Sequence, residues 1–402
     1  MKLRLPTPNQ KKSLKPKDKH IYIIIFILIL LGASIFFSQN RIASLNKLVT
    51  NLTSQKDSNY QDLEKIKKEI EDVKAEDQYK KNQTLQEEIQ NIEKTYEKAV
   101  KVYEELLDLK SKSKETKALD DLFAKSLSQL AKRDFGAAEA TLNQLSTKIS
   151  EEDEKVTASV TIPQNVPESN APPGSGYSRQ QVQTDAGVFM VSIVAGDLGS
   201  TKVIVDTASD SDCTNDCPVL PLATYVARNG AFAGVNGSYF CPADYPTCTG
   251  KTNSYDLLVM NYKKTYFNSG NNVYSNNPAV IFGDSYVRFV SSASQWGRDT
   301  SPNGVLSNYP LLVHGGNITF GGDDDPKKGS KGSRSFVANK GNTVYIGVVH
   351  NATVAESARV MKALAMENAL NLDNGGSTAL WSGGYKVGPG RNLPNVILFV
   401  RK

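Results

Sequence analysis

The sequence predicts an α+β protein, in which a mixed, largely antiparallel, twisted β-sheet domain with few helices follows a transmembrane helix and an α-helical stalk of coiled coil and hairpin. Three observations predict it. Residues 21–37 (IYIIIFILILLGASIFF) form an uncharged apolar run near the N-terminus. Residues 41–155 hold no proline and a single glycine, Gly136, amid abundant Lys, Glu, Gln and Leu, a helical composition. From Tyr177 onward, short β-branched and aromatic runs alternate with Gly, Asn, Asp and Ser turns.

Residues 1–20 read as a basic cytoplasmic tail, since Lys2, Arg4, Lys11, Lys12, Lys15, Lys17 and Lys19 stand against the single acid Asp18. The apolar run, extended to residues 21–39 by Ser38 and Gln39, is at the short end of what spans a bilayer. A cleaved signal sequence would need a small-x-small site after a shorter core, and Phe36-Phe37-Ser38-Gln39 is a poor one. The favoured reading is an uncleaved single-pass anchor in the plasma membrane. The Lys/Arg excess keeps its N-terminus cytoplasmic and places everything after Arg41 outside the cell. Basic residues interleaved with aromatics are absent, so no nucleic-acid partner is expected.

In residues 41–155, apolar positions alternate by three and four at Ile42, Leu45, Val49 and Leu52, and again from Leu85 through Ile89, Ile92, Tyr96, Ala99 and Tyr103 to Leu106. This is a heptad seam and predicts an interrupted coiled coil, through which the chain would form a homo-oligomer. Two amphipathic stripes follow (Leu119, Leu122, Phe123, Leu127, Leu130; then Phe135, Ala138, Leu142, Leu145, Ile149), joined at Arg133-Asp134-Phe135-Gly136, as in a helical hairpin. Residues 156–178, with four prolines and no apolar period, are expected to be a flexible linker.

Residues 179–402 form the last domain, long enough to bury its own core. Its one clear helix is expected over residues 354–370, with Thr353 as N-cap and Glu356 completing a capping box. All four cysteines (Cys213, Cys217, Cys241 and Cys248) lie here. In an exported domain an even number reads as disulfides, with the local pairs Cys213–Cys217 and Cys241–Cys248 the first of three connectivities. Zinc is the alternative, but the spacings are not a paired CxxC signature. No metal or cofactor is expected: Asp206, Asp210, Asp212 and Asp216 lack an EF-hand spacing and read as a solvated acidic loop.

Nucleophile elbows, zinc-protease helices and phosphate-binding P-loops are missing from the sequence. What remains are carboxylates, arginines, amides and glycine-rich turns, a set that suits sugars and phosphates. The segments in question are VNGSYF at residues 235–240, PLLV at 310–313, SRSFVA at 333–338, NLDNGGST at 371–378 after the helix, and RNLPN at 391–395. In order and spacing they resemble the phosphodiester glycosidase family, over residues 180–402. The family's third glycine is replaced by Asn374, and Ser333 and Ser335 flank the arginine where the family has Pro and Thr. The resemblance implies hydrolysis of a glycosyl phosphodiester (a sugar-1-phosphate diester) in cell-surface glycans, with a carbohydrate phosphodiester as the substrate partner. Asp373 would be the carboxylate facing the anomeric carbon. Arg334 and Arg391 would bind phosphate near the amides of Gly375 and Gly376. Asn236 and Asn395 would bind sugar hydroxyls, supported by Ser377, Thr378 and His314. A second carboxylate is expected, with Glu367 and Asp256 as candidates. The rival reading is a non-catalytic carbohydrate- or wall-binding head on a coiled-coil stalk.

Overall fold

A computed structural model describes residues 16–159, 162–268 and 275–402, so residues 1–15 of the basic tail lie outside the described residues. The chain divides into two compact units between Gln90 and Asn91.

The first unit is dominated by one helix, α1 (Pro16–Ala75), followed by the start of α2 (Asp77–Lys110). Its apolar run makes α1 long and apolar enough to cross a membrane. Beyond that run, the side chains of Ile42, Leu45, Val49 and Leu52 remain exposed along it.

In the second unit, the rest of α2 packs on α3 (Lys117–Ala131) and α4 (Phe135–Ser159). Ala99, Val102, Leu106 and Leu109 are buried against Leu130, Leu142 and Leu145. The end of the second heptad run, expected to be part of an interrupted self-association seam, is thus consumed inside its own chain. The hairpin turns at Arg133, which adopts φ 59°, and Asp134 accepts a hydrogen bond from the Ala137 N–H (3.1 Å) at the start of α4.

The sheet domain is antiparallel in every strand pair among the described residues. The first three strands are β1 (Gly176–Thr184), β2 (Gly187–Asp197) and β3 (Thr201–Thr207), followed by α5 (Leu222–Asn229) and β4 (Ala233–Asn236). Then come β5 (Val259–Met260), β6 (Tyr266–Phe267), β7 (Ala279–Phe282), β8 (Val287–Val290), β9 (Gly304–Ser307), β10 (Leu311–His314) and β11 (Asn317–Ile318). The short helix α6 (Pro326–Gly329) precedes β12 (Gly332–Lys340), β13 (Thr343–Ala352), α7 (Val354–Ala363) and β14 (Asn368–Asn371). The chain closes with β15 (Leu380–Ser382), β16 (Tyr385–Val387) and β17 (Asn395–Arg401). Three sheets result, ordered β1-β2-β13-β12-β14-β10-β11, β16-β15-β4-β17-β3 and β6-β5-β9-β7-β8. One core, including Val194, Val205, Val235, Phe282, Val337 and Ile397, draws residues from all three. A second lies where Ala358, Met361 and Leu364 cover the other face of the seven-stranded sheet.

Two boundaries differ from expectation. The capping box at Thr353 and Glu356 is present, but α7 stops at Ala363, seven residues early. Ala365 turns the chain with φ 53°, and the Glu367 N–H bonds the Asn339 carbonyl, drawing residues 368–371 into the sheet. Part of the proline-rich segment is also tied down. The Ser169 N–H donates to Gln181, and the Gln181 N–H to Pro167, so this stretch runs beside β1. The cysteines form the two local disulfides, Cys213–Cys217 and Cys241–Cys248.

Candidate functional site

The sheets place four strand ends together. Asp373 follows β14, Asn236 ends β4, Asn395 opens β17, Arg391 leads into β17, and Arg334 sits early in β12. Backbone bonds lock the junction: the Asp373 N–H donates to Gly237 O (2.9 Å), and Leu372 N–H to Ser335 O (2.9 Å). Beside it opens a cleft of about 340 Å³, lined by Asp373, Asn374, Gly375, Arg334 and Arg391 among others.

Asp373 is the chemical centre of the cleft. Burial pushes its carboxyl up to about 7. The nearby Ser377 hydroxyl, the Arg391 charge and the Asn374 amide act the other way, and the last donates to Oδ1 at 2.8 Å. The Ser377 hydroxyl is itself buried without completing a hydrogen bond of ordinary geometry. Gly375 adopts φ +60°, the left-handed backbone for which glycine is suited. A Cβ on Gly376 would stand 2.7 Å from Arg391 Nη2, so the glycine lets the guanidinium close over the turn. Asn374 holds the family's missing glycine position with extended backbone. Its side chain accepts from Ser335 N–H (2.9 Å) and donates to Asn371 Oδ1 (3.1 Å).

The two arginines differ. Arg391 is paired with Asp244 (3.2 Å) and stacks over Tyr245, with its face toward the cleft. Arg334 is buried, which lowers its pKa, and its donors are largely spoken for. Nε donates to Ala352 O (2.9 Å), and Nη2 to the carbonyls of Lys327 and Ser330. Arg334 therefore fastens the α6 loop to the sheet while still lining the cleft.

Asn236, Asn395, His314 and Thr378, expected at the site, do not line the cleft. Asn236 is fully buried. Its Nδ2 donates to Asp373 O (2.7 Å), and its Oδ1 accepts from Ser335 Oγ (2.7 Å) and Ala379 N–H (3.1 Å), so it supports the turn from beneath. Asn395 is likewise buried and spends its amide on Ser238, accepting from its N–H (2.9 Å) and donating to its Oγ (3.1 Å). His314 is exposed at the β10–β11 hairpin, where it pairs in register with Asn317. Thr378 is buried behind the turn and donates to Ser333 O (3.3 Å). Of the two candidate second carboxylates, Asp256 lines the cleft and Glu367 does not. Glu367 instead accepts from Asn339 Nδ2 (3.1 Å).

The cleft also has walls that the sequence patterns do not mark. Tyr239 accepts from Asn371 Nδ2 (2.7 Å), and burial with the nearby Asp373 charge raises its pKa. Opposite, α2 contributes Glu104 and Asp108. Asp108 accepts a hydrogen bond from the Tyr245 hydroxyl, and Glu104 accepts from Thr247 N–H (3.2 Å). Just beyond α2, Lys112 bridges Asp153 (2.8 Å) and Lys331 O (2.9 Å), tying the helices to the sheet domain. Lys327 and Lys328 add positive charge at the rim. Tyr239 belongs to the VNGSYF segment and was within reach of sequence reasoning. Glu104 and Asp108 look like any solvent-facing helix acids, and only packing reveals them. Among the described residues, no cluster of three or more His, Cys, Asp or Glu side chains is placed to hold a metal ion.

Residues 229–400 match a family model described as phosphodiester glycosidase. No curated protein matches the sequence. Among solved structures, the chain is similar to a hypothetical protein from Synechocystis, with TM-score 0.44 and 15% identity over 56% of this chain and 62% of that one. It thus spans less than two thirds of that protein. It is also similar to the zebrafish N-acetylglucosamine-1-phosphodiester alpha-N-acetylglucosaminidase catalytic domain auto-inhibited by pro-peptide (TM-score 0.44, 14% identity, 60% and 87% covered). A third is an exported protein of Burkholderia pseudomallei (TM-score 0.36, 12% identity, 53% and 74% covered).

Proposed function

With residues 229–400 forming a phosphodiester glycosidase domain, we propose that this chain hydrolyses a sugar-1-phosphate diester in extracytoplasmic glycans or glycopolymers while anchored through α1. The observation that carries the reading is a carboxyl group held near pKa 7, at the floor of a cleft with Arg391 beside it. A phosphodiester is a competent leaving group, so the enzyme must chiefly steady the oxocarbenium-like centre, activate water and hold the phosphate. A pKa close to ambient pH suits Asp373 to take a proton from the attacking water. Arg391 offers a planar fork to the phosphate oxygens, with Lys327 and Lys328 adding charge at the rim. Asp256 supplies the second carboxylate. Asn236 and Asn395 act as positioning residues: they hold the 373–378 turn and the Gly237 strand end that frame the cleft.

The apolar run of α1, with the basic residues that precede it, supports a single-pass anchor with the N-terminus cytoplasmic and the sheet domain outside. The two disulfides fit an oxidising compartment.

The test is release of free sugar from a panel of sugar-1-phosphate diesters by the purified full chain in detergent, with Asp373→Asn alongside. Release by the wild type alone supports the reaction and the role of Asp373. Binding of the same diesters without release by either protein would identify a carbohydrate-binding head instead.

A further inference from the structure

The exposed apolar face of α1 beyond its apolar run extends past Leu52. Ile42, Leu45, Val49 and Leu52 continue, after Lys56 and Asn59, into Leu63, Ile66, Ile70 and Val73, each at a position of one unbroken heptad register. The helix carries this register without interruption to Ala75. Every apolar member is 46–59% exposed, so eight large side chains in a row have no cover in the single chain. The corresponding stripe at the end of α2 differs, because Val102, Leu106 and Leu109 are already buried by α3 and α4.

We propose that residues 42–73 form a parallel, in-register coiled coil with a second copy of this chain. Charge decides both the partner and its direction. With Ile42 at a and Leu45 at d, Asp62 and Glu69 fall at g, while Lys67 and Lys74 fall at e. In a parallel pair, each g residue faces the e residue of the partner's next heptad. Asp62 then meets the partner's Lys67, and Glu69 meets the partner's Lys74. An antiparallel pair would instead set g against g and e against e, acid on acid and lysine on lysine. Within one chain Lys67 pairs with Glu64, at 2.7 Å, and both side chains are mostly exposed, so the pair holds little energy. In the first two heptads the β-branched Ile42 and Val49 at a, with Leu45 and Leu52 at d, are the pattern of two strands, whereas Leu63 at a and Ile66 and Val73 at d in the later heptads are not, so charge and the polar layers carry the pairing. Lys56 at a and Asn59 at d add polar layers that align only in register, and a slip of one heptad would bury them against Val49, Leu63, Leu52 or Ile66.

The test uses the full chain in detergent and exploits the cysteines, all four of which are paired among themselves. Leu52→Cys and Ile66→Cys are made singly. Both positions are exposed, so neither change disturbs the folded chain. Light scattering should give twice the chain mass for the wild type. Each variant should form disulfide-linked dimers, and Ser54→Cys on the far side should not. A mixture of the two variants should give only same-site links, because the positions are about 21 Å apart along a helix rising 1.5 Å per residue. Reversing Asp62 and Glu69 to Lys should weaken dimerisation about tenfold, and adding Lys67→Glu and Lys74→Glu should restore it. A monomer mass, or links between position 52 and position 66, would overturn the proposal.

Discussion

The pKa of Asp373 sets a stability prediction that can be worked through. The carboxyl rises from 3.8 in an unfolded chain to about 7 in the folded one, chiefly through burial. A raised carboxyl binds its proton more tightly when folded, so its contribution favours folding below pH 4 and is progressively withdrawn as pH climbs through 7. Linkage puts the penalty for ionising it at roughly 2 kcal/mol at pH 5 and roughly 4 kcal/mol at pH 8, a loss of a few kcal/mol between them. Asp373→Asn removes the charge, keeps an oxygen to accept from the Asn374 N–H, and should abolish this slope. Both tryptophans, Trp296 and Trp381, lie in the sheet domain, so their fluorescence during denaturant unfolding reports that domain. The expected result is a variant more stable than wild type at pH 8 by a few kcal/mol, nearly equal at pH 4, and inactive. Parallel wild-type and variant curves from pH 4 to 8 would refute the raised pKa. A variant that lost its fold would make Asp373 a structural residue and withdraw it from the chemistry.

Four further outcomes follow from the same geometry. Activity should rise with pH through about 7 as Asp373 ionises, measured as kcat on a sugar-1-phosphate diester. Asn236→Ala should cost about 2–4 kcal/mol in denaturant unfolding, since it empties a buried site and strands Ser335 Oγ and the Ala379 N–H. Gly237→Ala should destabilise by at least about 1–3 kcal/mol, because its Cβ would stand 1.8 Å from Asn395 Oδ1, read as a lowered Tm. Asp108→Asn, at the helical wall of the cleft, should shift KM more than kcat in steady-state assays, because it faces the substrate space from the Tyr245 side and not from the Asp373 floor.

Local chemistry determined much of this protein from the sequence alone. The apolar run of α1 and the proline-free helical region need only composition and period, which act within a few residues. The capping box at Thr353 and the two short disulfide loops are likewise local, and the structure holds both. The NLDNGGST turn was also legible as a place for an acid, because glycines beside a carboxylate have a recognisable backbone purpose. Tertiary structure decided the rest. Whether an asparagine touches substrate or holds a turn depends on what packs over it, and Asn236 and Asn395, both buried, hold the turn. Glu367 and His314 lie toward the start of β14, at the opposite end of that strand from Asp373. The heptads of α1 and α2 look alike in sequence. The end of α2 is covered by its own hairpin and α1 is not, because only the chain path determines which apolar stripe meets a partner. The acidic wall of Glu104 and Asp108 comes from a helix more than 120 residues before the cleft's first loop, and sequence carries no signal across such a separation until folding closes it.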